Sequence, residues 1–450
     1  MEKIRLDEII TAVNAKVLKK GTLKIFDKIT TDSRKIEKNS IFFALKGENF
    51  NGNEYIGTAI TNGAKLCVVD EDVTFDENID CSIIKVDNSR TALLDFAEYY
   101  KSKLSIKVIG VTGSTGKTST KDIIAAILSE KFKVFKTKGN FNNEIGVPLM
   151  IFELDNSYDV AVLEMGMSDF GEIHRLAKAA RPDISVITNI GISHIENLGT
   201  QDGILKAKME ITDYFNENSV LILNSEDKYL NTVKDRNFRI IRCGVNESSD
   251  LKAEGIHLME ECVEFSIRYN DDNCKFKIEA PGEHSVLNGL LGIACSLELG
   301  LTFEEMKKGL NNLERTSMRL EFIRKNDITI INDCYNASPQ SMKAALNVQK
   351  NTNSKRKIAV LGTMLELGQM SFEAHKEVGK YAKEIGIDEL LVTGEYSIAY
   401  KEGFGDSIRS FESKEKLIKF LNEFIDSEDC ILIKASRGMK FEGIVHSINN

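Results

Sequence analysis

An apolar strand, a turn and an amphipathic helix follow one another repeatedly through the middle of the chain. Candidate strands lie at residues 106–112, 160–164, 184–189 and 220–223, and a longer amphipathic stretch follows each of them. Strands that alternate with helices in this way build a parallel sheet with helices on both of its faces. The sequence therefore predicts an α/β fold, in which ligands sit at the carboxyl edge of the sheet.

Patterns on either side of this region divide the 450-residue chain into three predicted domains. Residues 1–103 read as a small mixed α/β domain, with short β-like runs between turn-rich stretches. Residues 104–314 form a central, mostly parallel α/β domain, and period-2 segments at 255–280 are typical of antiparallel hairpins at its sheet edge. Residues 315–450 resume the alternation of strands and helices, which predicts a Rossmann-like α/β domain.

Charge and cysteine usage exclude several classes of protein. The chain has 59 lysines and arginines against 68 aspartates and glutamates, a net charge of −9, whereas a broad nucleic-acid footprint needs basic patches. Its eight cysteines are scattered without a C-x-x-C pair, which is typical of buried free thiols in a reducing compartment. No leader-like apolar segment and no stretch of about 18 apolar residues occurs. We expect a cytoplasmic monomer with no membrane span and no nucleic-acid partner.

A glycine-rich turn follows the first central strand and opens a helix, which is the context of a phosphate-binding loop. Gly113 and Gly116 allow backbone N–H groups to turn inward around phosphate oxygens, and the helix N-terminus adds a positive dipole end. Lys117 supplies a charge for the β- and γ-phosphates of ATP, and the Thr118 hydroxyl is a candidate Mg²⁺ ligand. The predicted ATP-binding residues of this loop are Thr112, Gly113, Ser114, Thr115, Gly116, Lys117, Thr118 and Ser119.

The glycine spacing of this loop departs from the commonest one. In G-x-x-x-x-G-K-[ST] the first glycine would stand at position 111, but this chain has Val111 there, with glycines at Gly110 and Gly113. A glycine-rich turn that binds no nucleotide is therefore the alternative interpretation.

A glutamate and a histidine follow two of the neighbouring strands. Glu164 ends the strand at 160–164, so its carboxylate is expected at the carboxyl edge, where it could hold the Mg²⁺ that bridges ATP oxygens. A solvated glutamate at a strand end is the alternative. His194 follows the strand at 184–189 and belongs to the same edge; a lone histidine is more often structural, but its place beside the predicted magnesium site favours a metal ligand.

Motifs along essentially the whole chain resemble the Mur ligase family, in the order and at the approximate distances found there. The first four are VTGSTGKT at 111–118, LEMG at 163–166, NIGISH at 189–194 and KAKMEI at 206–211. The others are GNFNNEIGVPL at 139–149, INDCYNASP at 331–339, LGTMLELG at 361–368 and KASRGMK at 434–440. This second set is most similar to the family members that add D-alanyl-D-alanine.

The resemblance implies a specific reaction. The γ-phosphate of ATP would activate the carboxylate of a UDP-N-acetylmuramoyl-tripeptide as an acyl phosphate, and the amine of D-alanyl-D-alanine would attack it, with two Mg²⁺ ions bound. Another Mur-type amide ligase, which adds the third residue of the stem peptide, is the nearest alternative. A folylpolyglutamate synthase lacks the separate domain at 1–103, and a P-loop ATPase without ligase activity would hydrolyse ATP without a second substrate.

The resemblance also assigns roles to individual residues. Lys208 is expected to carry a CO₂-derived carbamate that ligates the second metal, whereas a surface lysine is the alternative. The implied catalytic residues are Lys117, Lys208, His194 and Glu164, and the implied metal ligands are Thr118, Glu164, His194 and Lys208. His284, Asn288, Arg319 and Asp333 are expected around the nucleotide, with Arg319 at the phosphates and Asp333 at the ribose.

Substrate contacts follow from the resemblance in the same way. The expected residues are Ser33, Arg34, Lys46, Gly47, Asn142, Asn143, Tyr335, Asn336, Ser338, Ser436 and Arg437. The first domain would hold the UDP end of the sugar nucleotide and the third would hold the dipeptide. Where family members often have Asp-Gly-His, this chain has Asn-Gly-Asn at 51–53. Lysine and diaminopimelate are both compatible with the third position of the stem peptide.

Overall fold

The computed structural model describes residues 1–234, 236–246, 249–269, 272–314 and 316–449. Arg315, where we predict the third domain to begin, lies outside the described residues. Three main sheets, of five, nine and six strands, follow one another along the described chain. This α/β arrangement in three parts confirms the predicted fold class, and the precise domain boundaries stay a prediction.

The first sheet belongs to the N-terminal domain and has the strand order β2-β7-β6-β5-β4, parallel except at the β2–β7 pair. A separate antiparallel pair joins β1 to β3. The elements are β1 (Ile4–Arg5), α1 (Leu6–Ala12), β2 (Lys16–Lys19), β3 (Ile25–Phe26), β4 (Ile29–Thr30), β5 (Ile41–Phe43), α2 (Ile56–Thr61), β6 (Leu66–Val69), β7 (Ser82–Lys85) and α3 (Ser89–Ser102). Asn88 caps α3 by accepting the Thr91 N–H at 2.9 Å, as expected for an N-cap asparagine.

Helix α3 joins this domain to the next one. The Phe96 ring lies 4.9 Å from the ring of Phe152, and the Tyr100 hydroxyl donates to the carbonyl oxygen of Leu154 at 2.5 Å. Buried side chains of both domains form one continuous hydrophobic cluster here. Because separating them would expose this shared core, the first two domains are expected to move as one unit.

The central sheet has nine strands in the order β16-β15-β14-β13-β12-β11-β8-β10-β9. Its elements are β8 (Lys107–Thr112), α4 (Lys117–Leu128), β9 (Val134–Lys136), α5 (Gly146–Phe152), β10 (Val160–Glu164), α6 (Glu172–Ala180), β11 (Ile184–Ile187), α7 (Ile195–Leu198), α8 (Gln201–Met209), β12 (Val220–Asn224), β13 (Arg239–Gly244), β14 (Leu251–Leu258), β15 (Val263–Tyr269), β16 (Asp272–Ile278), α9 (Glu283–Glu298) and α10 (Phe303–Asn311). Strands β9 to β13 and β8 pair in parallel, and the predicted antiparallel hairpins form the edge at β14 to β16.

The third sheet has the order β17-β18-β22-β19-β20-β21 and is parallel apart from the edge strand β17. Its elements are β17 (Glu321–Lys325), β18 (Ile328–Asn332), α11 (Pro339–Lys350), β19 (Arg356–Leu361), α12 (Ser371–Glu384), β20 (Glu389–Thr393), α13 (Ser397–Phe404), β21 (Arg409–Phe411), α14 (Lys414–Phe424), β22 (Asp429–Lys434) and α15 (Glu442–Asn449). Its buried residues form two clusters that hold few residues of the other domains, so the third domain has a core of its own.

Two predictions from composition can be checked on this fold. All eight cysteines are buried free thiols, as their scattered spacing predicts. Within the described residues, no helix is long and apolar enough to cross a membrane.

Candidate active site

The phosphate loop connects β8 to α4 with a backbone that only glycine can follow comfortably. Gly116 has φ +79° and immediately precedes the helix at Lys117. Gly113 has φ +151°, and a Cβ there would lie 1.8 Å from the hydroxyl oxygen of Thr188; at Gly116 it would lie 3.0 Å from Oδ1 of Asn288. Both glycines are therefore required by conformation and by close neighbours.

A second segment, residues 188–191 after β11, holds the loop from the side. The backbone N–H groups of Ser114 and Thr115 donate to the carbonyl and the side-chain oxygens of Asn189, both at 3.0 Å. The Asn189 amide donates in turn to the Thr115 hydroxyl at 2.8 Å, and the Gly191 N–H donates to the Ser114 hydroxyl at 2.8 Å. Asn189 thus fixes the shape of the loop, although its motif suggested only a strand end.

Lys117 and Glu164 place opposite charges beside this loop. The Lys117 ammonium donates to the Gly113 carbonyl oxygen at 2.7 Å; burial lowers the pKa of Lys117, and the Glu164 carboxylate opposes that shift. Glu164 lies opposite Val111 of the neighbouring strand and is only 3% exposed. The alternative of a solvated strand-end glutamate is therefore wrong.

The predicted metal ligands Thr118 and Glu164 are in contact. The Thr118 hydroxyl donates to one carboxylate oxygen of Glu164 at 2.9 Å, and the Asn142 amide donates to the other at 2.9 Å. Arg319, which comes from the segment leading into the third domain, donates to the Thr118 hydroxyl at 2.9 Å. These three contacts bring residues that are far apart in sequence to one point at the start of α4.

Lys208 is buried in the middle of the protein. It lies on α8 with 2% of its surface exposed, so the alternative of a surface lysine is wrong. Burial lowers the pKa of Lys208 well below its ordinary value, and the positive charge of Lys117 lowers it further. No described residue offers its ammonium a hydrogen bond or an ion pair. An unpaired buried ammonium is so costly that the neutral amine is favoured.

His194 faces the third domain. Its φ is +62° and its Nδ1 lies 3.0 Å from Oε2 of Glu366, on the loop between β19 and α12. Among the described residues, no hydrogen bond joins His194 to Glu164 or Lys208, and no group of three or more His, Cys, Asp or Glu side chains is placed for a metal. Of the four predicted ligands, Thr118 and Glu164 are joined by a direct hydrogen bond.

Asp333, which is predicted to contact the ribose, forms a buried ion pair with Lys434. Asp333 Oδ2 lies 2.5 Å from Nζ of Lys434, and its Oδ1 accepts the Leu320 N–H at 3.2 Å. Lys434 also donates to the carbonyl oxygen of Asn336 at 2.8 Å. His284 lies near this pair; burial lowers the pKa of His284, whereas the Asp333 charge raises it. Lys434 belongs to a recognised motif, but its pairing with Asp333 was not predicted.

Arg319 is held by an unusual backbone and by an aromatic ring. Its two neighbours, Met318 and Leu320, have φ of +60° and +47°, a region that non-glycine residues adopt only when their surroundings impose it. The guanidinium lies 4.0 Å from the centroid of the Tyr335 ring, and its Nε is buried without a hydrogen-bond partner in the described chain. Arg437 also lies over Tyr335, at 5.9 Å.

Several predicted substrate residues make local structural contacts. Ser338 caps α11, since its hydroxyl accepts the Ser341 N–H at 3.4 Å, and the Asn336 side chain accepts the Ala337 N–H at 2.9 Å. Ser436 accepts the Leu365 N–H at 2.9 Å. These bonds shape the turns that border the site and leave the predicted substrate roles untested.

In the first domain, the predicted residues follow two neighbouring parallel strands. Ser33 and Arg34 come after β4, and Lys46 and Gly47 come after β5, so all four lie towards the carboxyl edge of the first sheet. Arg34 pairs with the adjacent Asp32 and Lys46 pairs with Glu71 at 2.6 Å. In the second domain, Asn143 caps the helix α5 by accepting the Gly146 N–H at 2.8 Å.

Family models match the three domains in turn. Residues 26–101 match the Mur ligase family catalytic domain, residues 111–296 the Mur ligase middle domain, and residues 318–437 the Mur ligase glutamate ligase domain. The chain belongs to the Mur ligase family.

Individual relatives show which type of Mur ligase the chain is similar to. The chain is 38% identical to the UDP-N-acetylmuramoyl-tripeptide–D-alanyl-D-alanine ligase of Bacillus subtilis, over 97% of this chain and 98% of that one. It is 29% identical to MurF from Acinetobacter baumannii, whose crystal structure matches with a TM-score of 0.93 over 100% of this chain and 99% of that one. It is also 29% identical to the MurF ligase of Thermotoga maritima, solved in complex with ADP, with a TM-score of 0.85 over 94% and 96%.

Proposed function

We propose that this chain is an ATP-dependent ligase that joins D-alanyl-D-alanine to UDP-N-acetylmuramoyl-tripeptide during the synthesis of peptidoglycan precursors. The observation that carries the proposal is the meeting of Lys117, Glu164 and Arg319 around Thr118, in a chain that aligns along its whole length with ligases of this name. Transfer of the γ-phosphate to the tripeptide carboxylate releases ADP and forms an acyl phosphate. The dipeptide amine then attacks the acyl carbon and phosphate leaves.

The residues at the loop suit the first step. The nucleotide, the carboxylate and the developing transition state are all anionic, so positive charges must offset their repulsion. Lys117 from the loop and Arg319 from the next domain supply such charges from two sides. The Nε of Arg319 is buried without a hydrogen-bond partner among the described residues, so its N–H can donate to a phosphate oxygen.

The residues also fit Mg²⁺ at the first predicted position. The Thr118 hydroxyl and the Glu164 carboxylate, 2.9 Å apart, are hard oxygen donors of the kind that Mg²⁺ prefers. When bound there, Mg²⁺ would neutralise charge on the phosphate oxygens. The amide of Asn142 holds the second carboxylate oxygen and so fixes the direction of Glu164.

Carbamylation of Lys208 would supply the anion that a second Mg²⁺ needs. The neutral amine that burial favours is the form that adds to CO₂, giving a carbamate and releasing one proton. The carbamate is an anion. It would form at a site where a Lys208 ammonium has no partner among the described residues and is repelled by the positive charge of Lys117. We propose that this carbamate and His194 hold the second metal.

The remaining predicted roles belong to the same proposal. We propose domain limits of 1–103, 104–314 and 315–450, with the UDP end of the substrate on the first domain and the dipeptide on the third. We also propose that the protein acts as a monomer in the cytoplasm.

ATP consumption tests the proposal when stem peptides and amines are crossed. UDP-muramoyl di-, tri- and tetrapeptides are each combined with L-lysine, diaminopimelate, D-alanine or D-alanyl-D-alanine, and ADP release is followed. Sustained ADP release only with tripeptide and D-alanyl-D-alanine is expected. Turnover of a dipeptide acceptor with lysine or diaminopimelate would instead indicate the ligase of the third stem residue, and release without any acceptor would indicate a plain ATPase.

A further inference from the structure

Glu366 is a carboxylate that the third domain delivers to the edge of the central site. Its Oε2 lies 3.0 Å from Nδ1 of His194, and the two side chains are 51% and 23% exposed. The residues of this contact are 172 positions apart in sequence and come from two different domains. The sequence predicted no role at the metal for Glu366.

The loop that carries Glu366 is held in one shape. The Met364 N–H donates to Nε2 of His375 at 2.8 Å, and the other ring nitrogen of His375 lies 2.6 Å from the Ser371 carbonyl oxygen. Burial lowers the pKa of His375, so its neutral ring can accept on one side and donate on the other. The Leu365 N–H is held by the Ser436 hydroxyl. These bonds position the backbone at the two residues before Glu366.

Glu366 itself has φ +65°, a conformation that is strained for a non-glycine residue. The same loop lies against α7 of the central domain, since a Cβ on Gly368 would come within 2.9 Å of Cβ of Glu196. A strained backbone that is fixed by its neighbours is more common at functional sites than elsewhere. The loop therefore aims a carboxylate at His194 at some energetic cost.

The Glu366 carboxylate occupies one of the two ring nitrogens of His194, since its Oε2 lies 3.0 Å from Nδ1. With a carboxylate against Nδ1, Nε2 is the ring nitrogen that can ligate a metal. Carboxylates that hold the far nitrogen of a metal-binding histidine typically change metal affinity by about 10- to 100-fold.

We propose that Glu366 is a positioning residue that fixes the ring and tautomer of His194, so that the second metal position is complete only when the third domain lies on the central one. This inference rests on the proposed function, because that function assigns a metal to His194. Metal affinity and domain closure would then both depend on the contact between Glu366 and His194. A simple latch between domains would link closure to Glu366 but would leave metal affinity unchanged.

Binding of Mn²⁺ separates these cases. Free Mn²⁺ is measured by electron paramagnetic resonance during titration of the full-length protein with a non-hydrolysable ATP analogue present. The variants are Glu366→Gln, His194→Ala and their double variant, and the control is Glu373→Gln, which removes an exposed carboxylate from α12 of the same domain. Glu366→Gln is expected to weaken one of two Mn²⁺ sites about 10- to 100-fold, and the control is expected to bind as wild type.

The double variant decides the interpretation. If Glu366 acts through His194, the double variant binds no more weakly than His194→Ala alone. Additive losses, a Glu366→Gln protein that binds Mn²⁺ like the control, or a wild type with a single Mn²⁺ site would each overturn the inference. Circular dichroism spectra that match between variants show that folding is intact. A wild type that binds two Mn²⁺ ions but does not join tripeptide and dipeptide would refute the proposed function and leave this coupling standing.

Discussion

Replacing Lys434 by methionine should destabilise the third domain strongly, and by an amount that depends on pH. Lys434 and Asp333 are 2% and 8% exposed and lie 2.5 Å apart. Removing one partner of a buried ion pair costs about 3–5 kcal/mol, because the other charge stays buried without compensation. In Lys434→Met the Asp333 carboxylate would keep, among the described residues, one hydrogen bond, from the Leu320 N–H at 3.2 Å.

Proton uptake limits this cost. A buried aspartate that takes up a proton no longer bears the cost of an unpaired charge. Protonation itself costs about 5 kcal/mol at pH 7.5 but only about 2 kcal/mol at pH 5.5. The destabilisation should therefore lie near 3–5 kcal/mol at pH 7.5 and fall to about 2 kcal/mol or less at pH 5.5. The sign follows because acid neutralises the carboxylate that the variant leaves without its lysine partner.

Hydrogen exchange followed by mass spectrometry measures this effect on β18 and β22, the strands that carry the pair. Exchange that proceeds through opening of the third domain should be roughly 150- to 5,000-fold faster in the variant at pH 7.5, after correction for the intrinsic rates. Lys419→Met, which replaces an exposed lysine on α14, is the matched control. Protection equal to that of the control, or a loss that does not shrink at pH 5.5, would refute the reasoning.

Three further substitutions probe the central site. Gly113→Ala should weaken binding of ATP by at least roughly 100-fold, measured by calorimetry, because its Cβ would meet the Thr188 hydroxyl at 1.8 Å; binding as in wild type would contradict the loop geometry. Lys208→Ala should lower kcat by at least roughly 100-fold, with partial recovery when a short carboxylic acid is added; full activity of the variant, or no recovery, would count against the carbamate. Arg319→Lys keeps the charge but loses the stacking on Tyr335, so kcat/KM for ATP should fall by about tenfold, and an unchanged value would argue against its phosphate role.

Sequence reasoning predicted those parts of the fold that depend on residues close together in the sequence. Strand β10 was predicted with both of its ends, because apolar periodicity acts within a few residues. The sequence likewise predicts a helix at 89–103 capped by Asn88 or Ser89, and α3 ends one residue earlier with Asn88 as its cap. The sequence also predicts a helix at 202–215 around Lys208, and this prediction is too long, since α8 ends at Met209 and a 3₁₀ turn follows at Glu210–Thr212. Very short strands such as β1, β3 and β4 carry too few residues to show a period.

The residues of the site can be divided in the same way, into those that local patterns predict and those that depend on contacts between domains. The phosphate loop and Glu164 were predicted because a strand, a turn and a helix position them locally, and neighbouring parallel strands end at a common edge. Contacts between domains have no such signal. The pairs Arg319 with Thr118 and Glu366 with His194 depend on how the third domain lies on the second, which no sequence spacing encodes. The sequence likewise gives no signal for the apolar surface that joins the first two domains in one core.

The acyl-phosphate step is the central claim, and transfer of isotopic oxygen tests it most directly. UDP-N-acetylmuramoyl-tripeptide labelled with ¹⁸O in both oxygens of its terminal carboxylate is incubated with ATP, Mg²⁺ and D-alanyl-D-alanine, and the products are weighed by mass spectrometry. We predict one ¹⁸O in the released phosphate and one in the new amide for every ADP formed. Unlabelled phosphate, or label in AMP, would contradict the mechanism.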